Sequence, residues 1–210
     1  MIRVAICDDH QIVRAGFKQI FSDVDDIEVV AEAGNGKEAL HIARGNDCDV
    51  ILLDISMPDQ SGIDILRTIK QGQPDLPVLI LSGYPAQQYA VILLKMGASG
   101  YISKDCGPDE LVNAVRVAAS GRRYINPAVG EILAQSFDHN TDAAVHTTLS
   151  EREFQVFLRL ASGEAVSDIA VKLSLSAKTV STYRKRVLEK MNLRTNSDLT
   201  YYALTSKLLE

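Results

Sequence analysis

Two kinds of hydrophobic pattern alternate along the first 121 residues. Five short runs are β-branched and apolar with little interruption: IRVAIC (2–7), IEVVAEA (27–33), VILLD (50–54), PVLILS (77–82) and GYIS (100–103). Between them lie segments with helical spacing of apolar residues, roughly 11–22, 35–45, 61–72, 86–96 and 108–120. Continuous apolar runs of this length fit strands covered on both faces. Strict strand–helix alternation then predicts a parallel sheet with right-handed crossovers. Turn and helix-entry residues at Asn35-Gly36, Pro58, Ser61-Gly62, Pro85 and Gly107-Pro108 punctuate the pattern. No internal repeat or low-complexity tract is visible.

Ligands of such sheets bind beyond the carboxyl ends of the strands. Strand 1 ends in Asp8-Asp9, strand 3 in Asp54, strand 4 in Ser82, and strand 5 leads into Lys104. Singly, each has an ordinary explanation: Asp8-Asp9 could cap the next helix, Ser82 could sit in a turn, and Lys104 could be a solvated charge. Together, three crowded carboxylates repel and require a counter-charge. A hard divalent cation such as Mg²⁺, which takes oxygen ligands and keeps several waters, meets that need. No GxxxxGK[ST] or GxGxxG phosphate cradle is present. The simplest chemistry makes Asp54 itself the phosphate carrier, as an acyl phosphate, with Mg²⁺ and Lys104 neutralising the transferred group.

These residues carry a family resemblance. Residues 1–121 are similar to the receiver domain of two-component response regulators, a flavodoxin-like (βα)5 parallel-sheet fold. The resemblance implies Asp54 as phosphoacceptor and Asp8, Asp9 and Asp54 as Mg²⁺ ligands, joined by the carbonyl of Ser56. It implies a switching hydroxyl at Ser82, a switching aromatic at Tyr101, and a small residue at Gly83 that leaves the phosphate accessible. Met57-Pro58 and Gly62 match the loop after the acceptor, with the break at Pro58 turning the chain away from Asp54.

From Gly121 the alternation stops. One helix is expected over about 127–137, followed by a polar, aperiodic linker, DHNTDAAVHT (138–147), in which His139 and His146 read as exposed. Four helical patterns follow. Ser150-Glu151-Arg152-Glu153 is a capping box, and Phe154, Phe157, Leu158 and Ala161 form an apolar face behind it. A short helix over 166–173, a turn, and a helix over 177–190 make a helix-turn-helix pattern. At ~100° per residue, Val180, Val187 and Met191 of that third helix share one side. Lys178, Ser181, Thr182, Lys185 and Glu189 lie opposite, with Arg186 flanking, a set suited to phosphates and base edges. Arg184 is placed nearer the inward side, either reaching for the DNA backbone or packing its stem on the core. The last helix, about 196–207, offers Leu199, Tyr202 and Ala203 either to a dimer partner or to the core.

Residues 148–210 resemble the LuxR-like, four-helix DNA-binding domain. The match rests on Leu149 to Glu153, Gly163, Ile169-Ala170, Leu173, Ser176, Lys178-Thr179-Val180, Lys190-Met191 and Leu193; Tyr183 departs from it, since many members have His there. The whole chain therefore resembles a NarL/FixJ-type response regulator: a receiver over 1–121, a linker with one helix over 122–147, and an all-α domain over 148–210. The resemblance implies phosphoryl transfer from a histidine kinase or phosphotransfer protein to Asp54, a homodimer on phosphorylation, binding to double-stranded promoter DNA, and contact with RNA polymerase. Two other readings stay open. One is a regulator that binds DNA without phosphorylation. The other is an Asp-nucleophile phosphatase, although the position two residues after Asp54, where such enzymes want a second acid, is Ser56.

Charge sharpens the division. Residues 148–210 hold ten Lys/Arg against seven Asp/Glu, net +3; the remaining 12 and 20 leave residues 1–147 at −8. No apolar run approaches the ~20 residues of a membrane span, and MIRVAICDDH places acids where a signal peptide would stay apolar. Three dispersed cysteines without a CxxC suit small core residues in a reduced, cytoplasmic setting.

Overall fold

The computed structural model describes residues 1–45, 47–57, 60–137 and 144–209. Two compact units result, Met1–Leu133 and Ala134–Glu210, with their boundary inside a helix.

The first unit is the expected (βα)5 alternation: β1 (Ile2–Cys7), α1 (Gln11–Ser22), β2 (Ile27–Ala33), α2 (Gly36–Gly45), β3 (Val50–Asp54), α3 (Gly62–Gly72), β4 (Val78–Ser82), α4 (Ala86–Lys95), β5 (Gly100–Ser103) and α5 (Pro108–Ala119). The strands pair in parallel in the order β2-β1-β3-β4-β5. Every residue of β3 and β4 is buried, as their unbroken apolar runs require. β2 departs from that rule. At the sheet edge it turns Glu28, Val30 and Glu32 outward, burying Ile27 and Ala33 and half-burying Val29 and Ala31 on the other side. On one sheet face, Val4, Ile6, Val50, Leu52, Leu79, Leu81 and Ile102 pack with Phe17 and Phe21 of α1 and Leu111 and Val115 of α5. That burial anchors the sheet and leaves the strand ends as the polar rim.

Beyond α5 the chain returns to the β5 edge, where Tyr124 bridges Gly100 and its amide donates to the Ser99 carbonyl at 2.7 Å. Asn126 then starts α6 (Pro127–Phe137): its Oδ1 accepts from the Val129 amide, and its Nδ2 donates to Glu110 of α5 at 3.0 Å. These bonds tie the start of the joining segment to the first unit. Pro58 and His139, and with them most of the linker over 138–147, lie outside the described residues.

The second unit opens with a 3₁₀ turn (Val145–Thr148), followed by α7 (Glu151–Ala161), α8 (Val166–Lys172), α9 (Ala177–Lys190) and α10 (Asn196–Thr205). α7 packs on α9 and α10, and α8 on α9. The Ser150–Glu153 capping box forms as read, and a second one, Thr195–Asp198, opens α10. One expectation is corrected here. His146 is not an exposed linker residue but is 1% exposed, with Nδ1 3.0 Å from the Tyr202 hydroxyl and its ring stacked on Phe154. An imidazole offers an apolar ring with a polar edge, so it serves as a core residue once a hydroxyl partner is supplied. The alternatives for α10 also resolve. Leu199 and Ala203 are fully buried in this unit's core and Tyr202 packs on Phe157, while Tyr201 and Leu204 are exposed.

Candidate functional site

Strand order fixes where chemistry can gather. The chain changes direction across the sheet between β1 and β3, and the carboxyl ends of those adjacent strands frame a crevice. β1 delivers Asp8 and Asp9 to it, and β3 delivers Asp54. β4 brings Ser82, one residue beyond Leu81, the partner of Asp54 in the ladder. β5 brings Tyr101 and, just past its end, Lys104.

The side chains converge. Asp8 and Asp54 are 0% and 1% exposed, and the Lys104 ammonium lies between them, with Nζ 2.7 Å from Asp8 Oδ2 and 2.9 Å from Asp54 Oδ2. Asp9 stands at the rim, partly exposed. The Ser56 amide donates to Asp54 Oδ1 at 3.2 Å, and the Arg14 guanidinium donates to the Asp8 carbonyl at 2.7 Å. Burial pushes the Asp54 carboxyl above its ordinary range, with the Asp8 charge adding to the rise and Lys104 and the Ser56 amide opposing it. Burial alone would lower the Lys104 ammonium, but its bonds and charges with Asp8 and Asp54 outweigh that and hold it above the ordinary lysine value. Two carboxylates against one ammonium, with the Asp9 carboxylate beside them, leave an excess of negative charge and hard oxygen donors, and a divalent cation fits them.

Ser82 is fully buried, its Oγ accepting from the Tyr84 amide at 2.9 Å. Tyr101 is 2% exposed and its hydroxyl donates to the Tyr84 carbonyl at 2.8 Å, so both side chains engage the same turn after β4. Burial pushes the Tyr101 phenol up to about 12 against the opposing Ser82 hydrogen bond, which keeps it a neutral donor. A Cβ added at Gly83 would meet nothing within 4 Å, so the rim is open there. The cysteines stand apart from this chemistry: all three are free, and burial pushes Cys7 to about 12 and Cys48 and Cys106 to about 11.

Sequence reasoning missed His10 and Arg14. His10 Nδ1 lies 2.8 Å from Asp9 Oδ1 and 3.2 Å from Asp8 Oδ1. Its adjacency to Asp8-Asp9 was the available signal. Nothing in the residue order marks Arg14, which reaches Asp8 from the first turn of α1 and is also paired with Glu32.

In the second unit, α9 buries Val180 and Val187, with Met191 buried just past its end, and exposes Lys178, Ser181, Thr182, Lys185 and Arg186. Ser181 and Thr182 hydroxyls donate back to the carbonyls four residues earlier, and Lys185 pairs loosely with Glu189 at 3.7 Å. Arg184 differs from this set. Its Nε donates to Asn196 Oδ1 at 2.7 Å, which joins α9 to the start of α10.

Comparison with known proteins agrees with both units. Residues 4–116 match the response regulator receiver domain family, and residues 147–203 match the luxR family of bacterial regulatory proteins. The chain is 37% identical to the response regulator UvrY of Escherichia coli K12 over 97% of its length and 94% of that protein's. It is 36% identical to the response regulator GacA of Pseudomonas aeruginosa, over 97% and 96%. The structure of RcsB from Salmonella enterica serovar Typhimurium, bound to promoter rprA in the presence of phosphomimetic BeF3-, superposes with a TM-score of 0.76 at 25% identity, covering 96% of this chain and 97% of that one.

Proposed function

Since this chain belongs to the response regulators that couple a receiver domain to a luxR-family regulatory domain, we propose that Asp54 is its phosphoacceptor and that phosphorylation there controls self-association and DNA binding. The chain is a two-component response regulator whose helix-turn-helix unit binds DNA and regulates transcription. The observation that carries the Asp54 assignment is the buried pair, Asp8 and Asp54, sharing the ammonium of Lys104.

An Asp54 carboxylate oxygen attacks the phosphorus of a phosphohistidine on a histidine kinase or phosphotransfer protein. The new O–P bond forms as the P–N bond breaks, and the departing imidazole takes up a proton. Asp8, Asp9, Asp54 and the Ser56 carbonyl would hold Mg²⁺, which when bound neutralises charge on the transferring oxygens. Lys104 turns from the two carboxylates to the new phosphate, and Ser82 donates its hydroxyl hydrogen to it. Tyr101 shares the Tyr84 turn with Ser82, so the turn after β4 and the β5 edge respond together.

The responding surface favours a homodimer, which sets two α9 helices on promoter half-sites about one helical turn apart. Lys178, Ser181, Thr182, Lys185 and Arg186 face the duplex. Arg184, half-buried and held by Asn196, orients α9 against α10 and reaches at most the DNA backbone from beside the exposed set. RcsB, a relative of the same architecture, was captured on promoter DNA with a phosphomimetic, which supports this reading. RNA polymerase is the expected further partner. Among the described residues no helix is long and apolar enough to cross a membrane; the cytoplasmic setting is proposed from the family, whose kinase partners and promoter DNA lie there. The division proposed from the sequence is a receiver over 1–121, a joining segment over 122–147 and a DNA-binding domain over 148–210, but the burial of His146 against Phe154 and Tyr202 draws the 3₁₀ turn from Val145 into the DNA-binding domain.

Incubation with Mg²⁺ and acetyl phosphate should label wild-type chain at Asp54 and leave Asp54→Asn unlabelled. Equal labelling of the two would reject the assignment.

A further inference from the structure

The three carboxylates of the pocket are accompanied by a nitrogen donor. Asp8, Asp9, His10 and Asp54 each place one ligand-type atom within 4.8 Å of all the others. The position of the ring follows from the backbone. His10 is the extended residue that enters α1, and its amide donates to Asp8 Oδ1 at 2.8 Å, so the main chain folds the imidazole over the two acids. Its Nδ1 edge faces Asp9 and Asp8 at 2.8 and 3.2 Å, while the side chain is 62% exposed and has room to turn. Beneath it, Asp8 Oδ2 and Asp54 Oδ2 are buried and, among the described residues, take no hydrogen bond beyond their shared Lys104. The mouth of the pocket thus holds the Asp9 carboxylate and one imidazole nitrogen, and its buried floor holds the Asp8 and Asp54 carboxylates.

Oxygen-only sites suit hard cations such as Mg²⁺, which gain little from imidazole; borderline cations such as Zn²⁺ gain a great deal. We propose that His10 is a fourth donor of this pocket, through Nδ1, and makes it bind a borderline divalent cation far more tightly relative to Mg²⁺ than its carboxylates alone would. Ligation through Nδ1 leaves the ring proton on Nε2. Four protein donors around Zn²⁺ close its coordination, whereas Mg²⁺ keeps waters that a phosphoryl oxygen can replace. A Zn²⁺-type cation would therefore occupy Asp54 without supporting its phosphorylation. This inference rests on the reading of the acidic pocket as the divalent-cation and phosphoacceptor site.

The test is metal binding to the full chain, with Zn²⁺ and Mg²⁺ separately, by competition with a chromophoric chelator. Wild type is compared with His10→Ala and with His10→Asn, which retains a hydrogen-bonding group near the Nδ1 position without a ligating nitrogen. Loss of outer partners of metal ligands alone costs 10–100-fold in affinity, so loss of the ligand should weaken Zn²⁺ binding by at least about tenfold in both variants. Mg²⁺ binding should change by no more than about twofold. Unchanged Zn²⁺ affinity, full recovery in His10→Asn, or a parallel fall in Mg²⁺ affinity would each overturn the proposal. Acetyl phosphate labelling of the same wild-type preparation with Mg²⁺ separates the two readings. Labelling with His10-independent Zn²⁺ binding removes this inference alone, while absence of labelling removes the Asp54 reading beneath it.

Discussion

Gly62 shows how tightly single residues frame Asp54. A Cβ built there would lie 2.1 Å from the Asp54 carbonyl oxygen and 2.7 Å from Ile55 Cα, while the Gly62 amide donates to the Ile55 carbonyl at 2.8 Å. The start of α3 is thus pressed directly against the end of β3, and only a residue without a side chain fits. Gly62→Ala must displace backbone beside Asp54. It should cost about 3 kcal/mol in urea denaturation and slow acetyl phosphate labelling; unchanged labelling would show that the close approach does not position Asp54 for phosphorylation. Residues at strand ends were legible in the sequence because topology alone gathers them: Asp8, Asp9, Asp54, Ser82 and Lys104 follow from where five apolar runs stop. His146 was not, because a lone histidine in an aperiodic stretch carries no period, and only folding brings the Tyr202 hydroxyl to its ring. Gly62 could be matched to the resembling family's loop, but its reason, a backbone approach, is not written in the residue itself.

Among the elements, α7 illustrates how a local signal gains a long-range partner. The capping box was readable from Ser150 and Glu153, three residues apart. What the spacing could not give is that Lys190, at the end of α9, donates to Glu153 Oε2 at 2.6 Å. Burial would raise the Glu153 carboxyl, but the Lys190 and Ser150 bonds outweigh it and hold it below the ordinary glutamate value of 4.5. A lowered folded-state pKa stabilises the fold above the unfolded value, and that contribution is lost as pH falls through the folded one. Glu153→Gln should therefore destabilise the second unit by about 2 kcal/mol at neutral pH. The deficit should shrink toward zero as pH drops below the ordinary glutamate range, measured by denaturation across pH. A deficit independent of pH would place the effect in packing instead. Element boundaries in the first unit were legible because the strand and helix periods differ sharply. The alternating burial of β2 was less so, since edge position depends on strand order, which no single run encodes. The inward and outward faces of α9 followed from helical spacing, but the Arg184–Asn196 bond joins residues of two elements and needed the fold.

At the scale of the molecule, an acidic stretch, residues 1–147 at net −8, carries the pocket of Asp8, Asp9 and Asp54 and is joined to a basic one, residues 148–210 at net +3, that carries α9. The charge split was visible in the composition, and the two patterns together identified the architecture; where the chain divides was not, because α6 is shared by both units. If Lys178 and Lys185 meet DNA phosphates, the Lys178→Ala, Lys185→Ala double variant should bind DNA more weakly and with a shallower salt dependence. The slope of log affinity against log salt should drop by about 2, roughly 1 for each lost contact. An unchanged slope would take α9 off the duplex. The most direct test of phosphorylation control measures affinity for a DNA fragment enriched by the chain itself from a random pool, at fixed salt and Mg²⁺, with and without acetyl phosphate. Control through Asp54 predicts tighter binding and a larger dimer fraction with acetyl phosphate in wild type and no change in Asp54→Asn. Equal affinity and equal self-association of labelled and unlabelled wild type would contradict it.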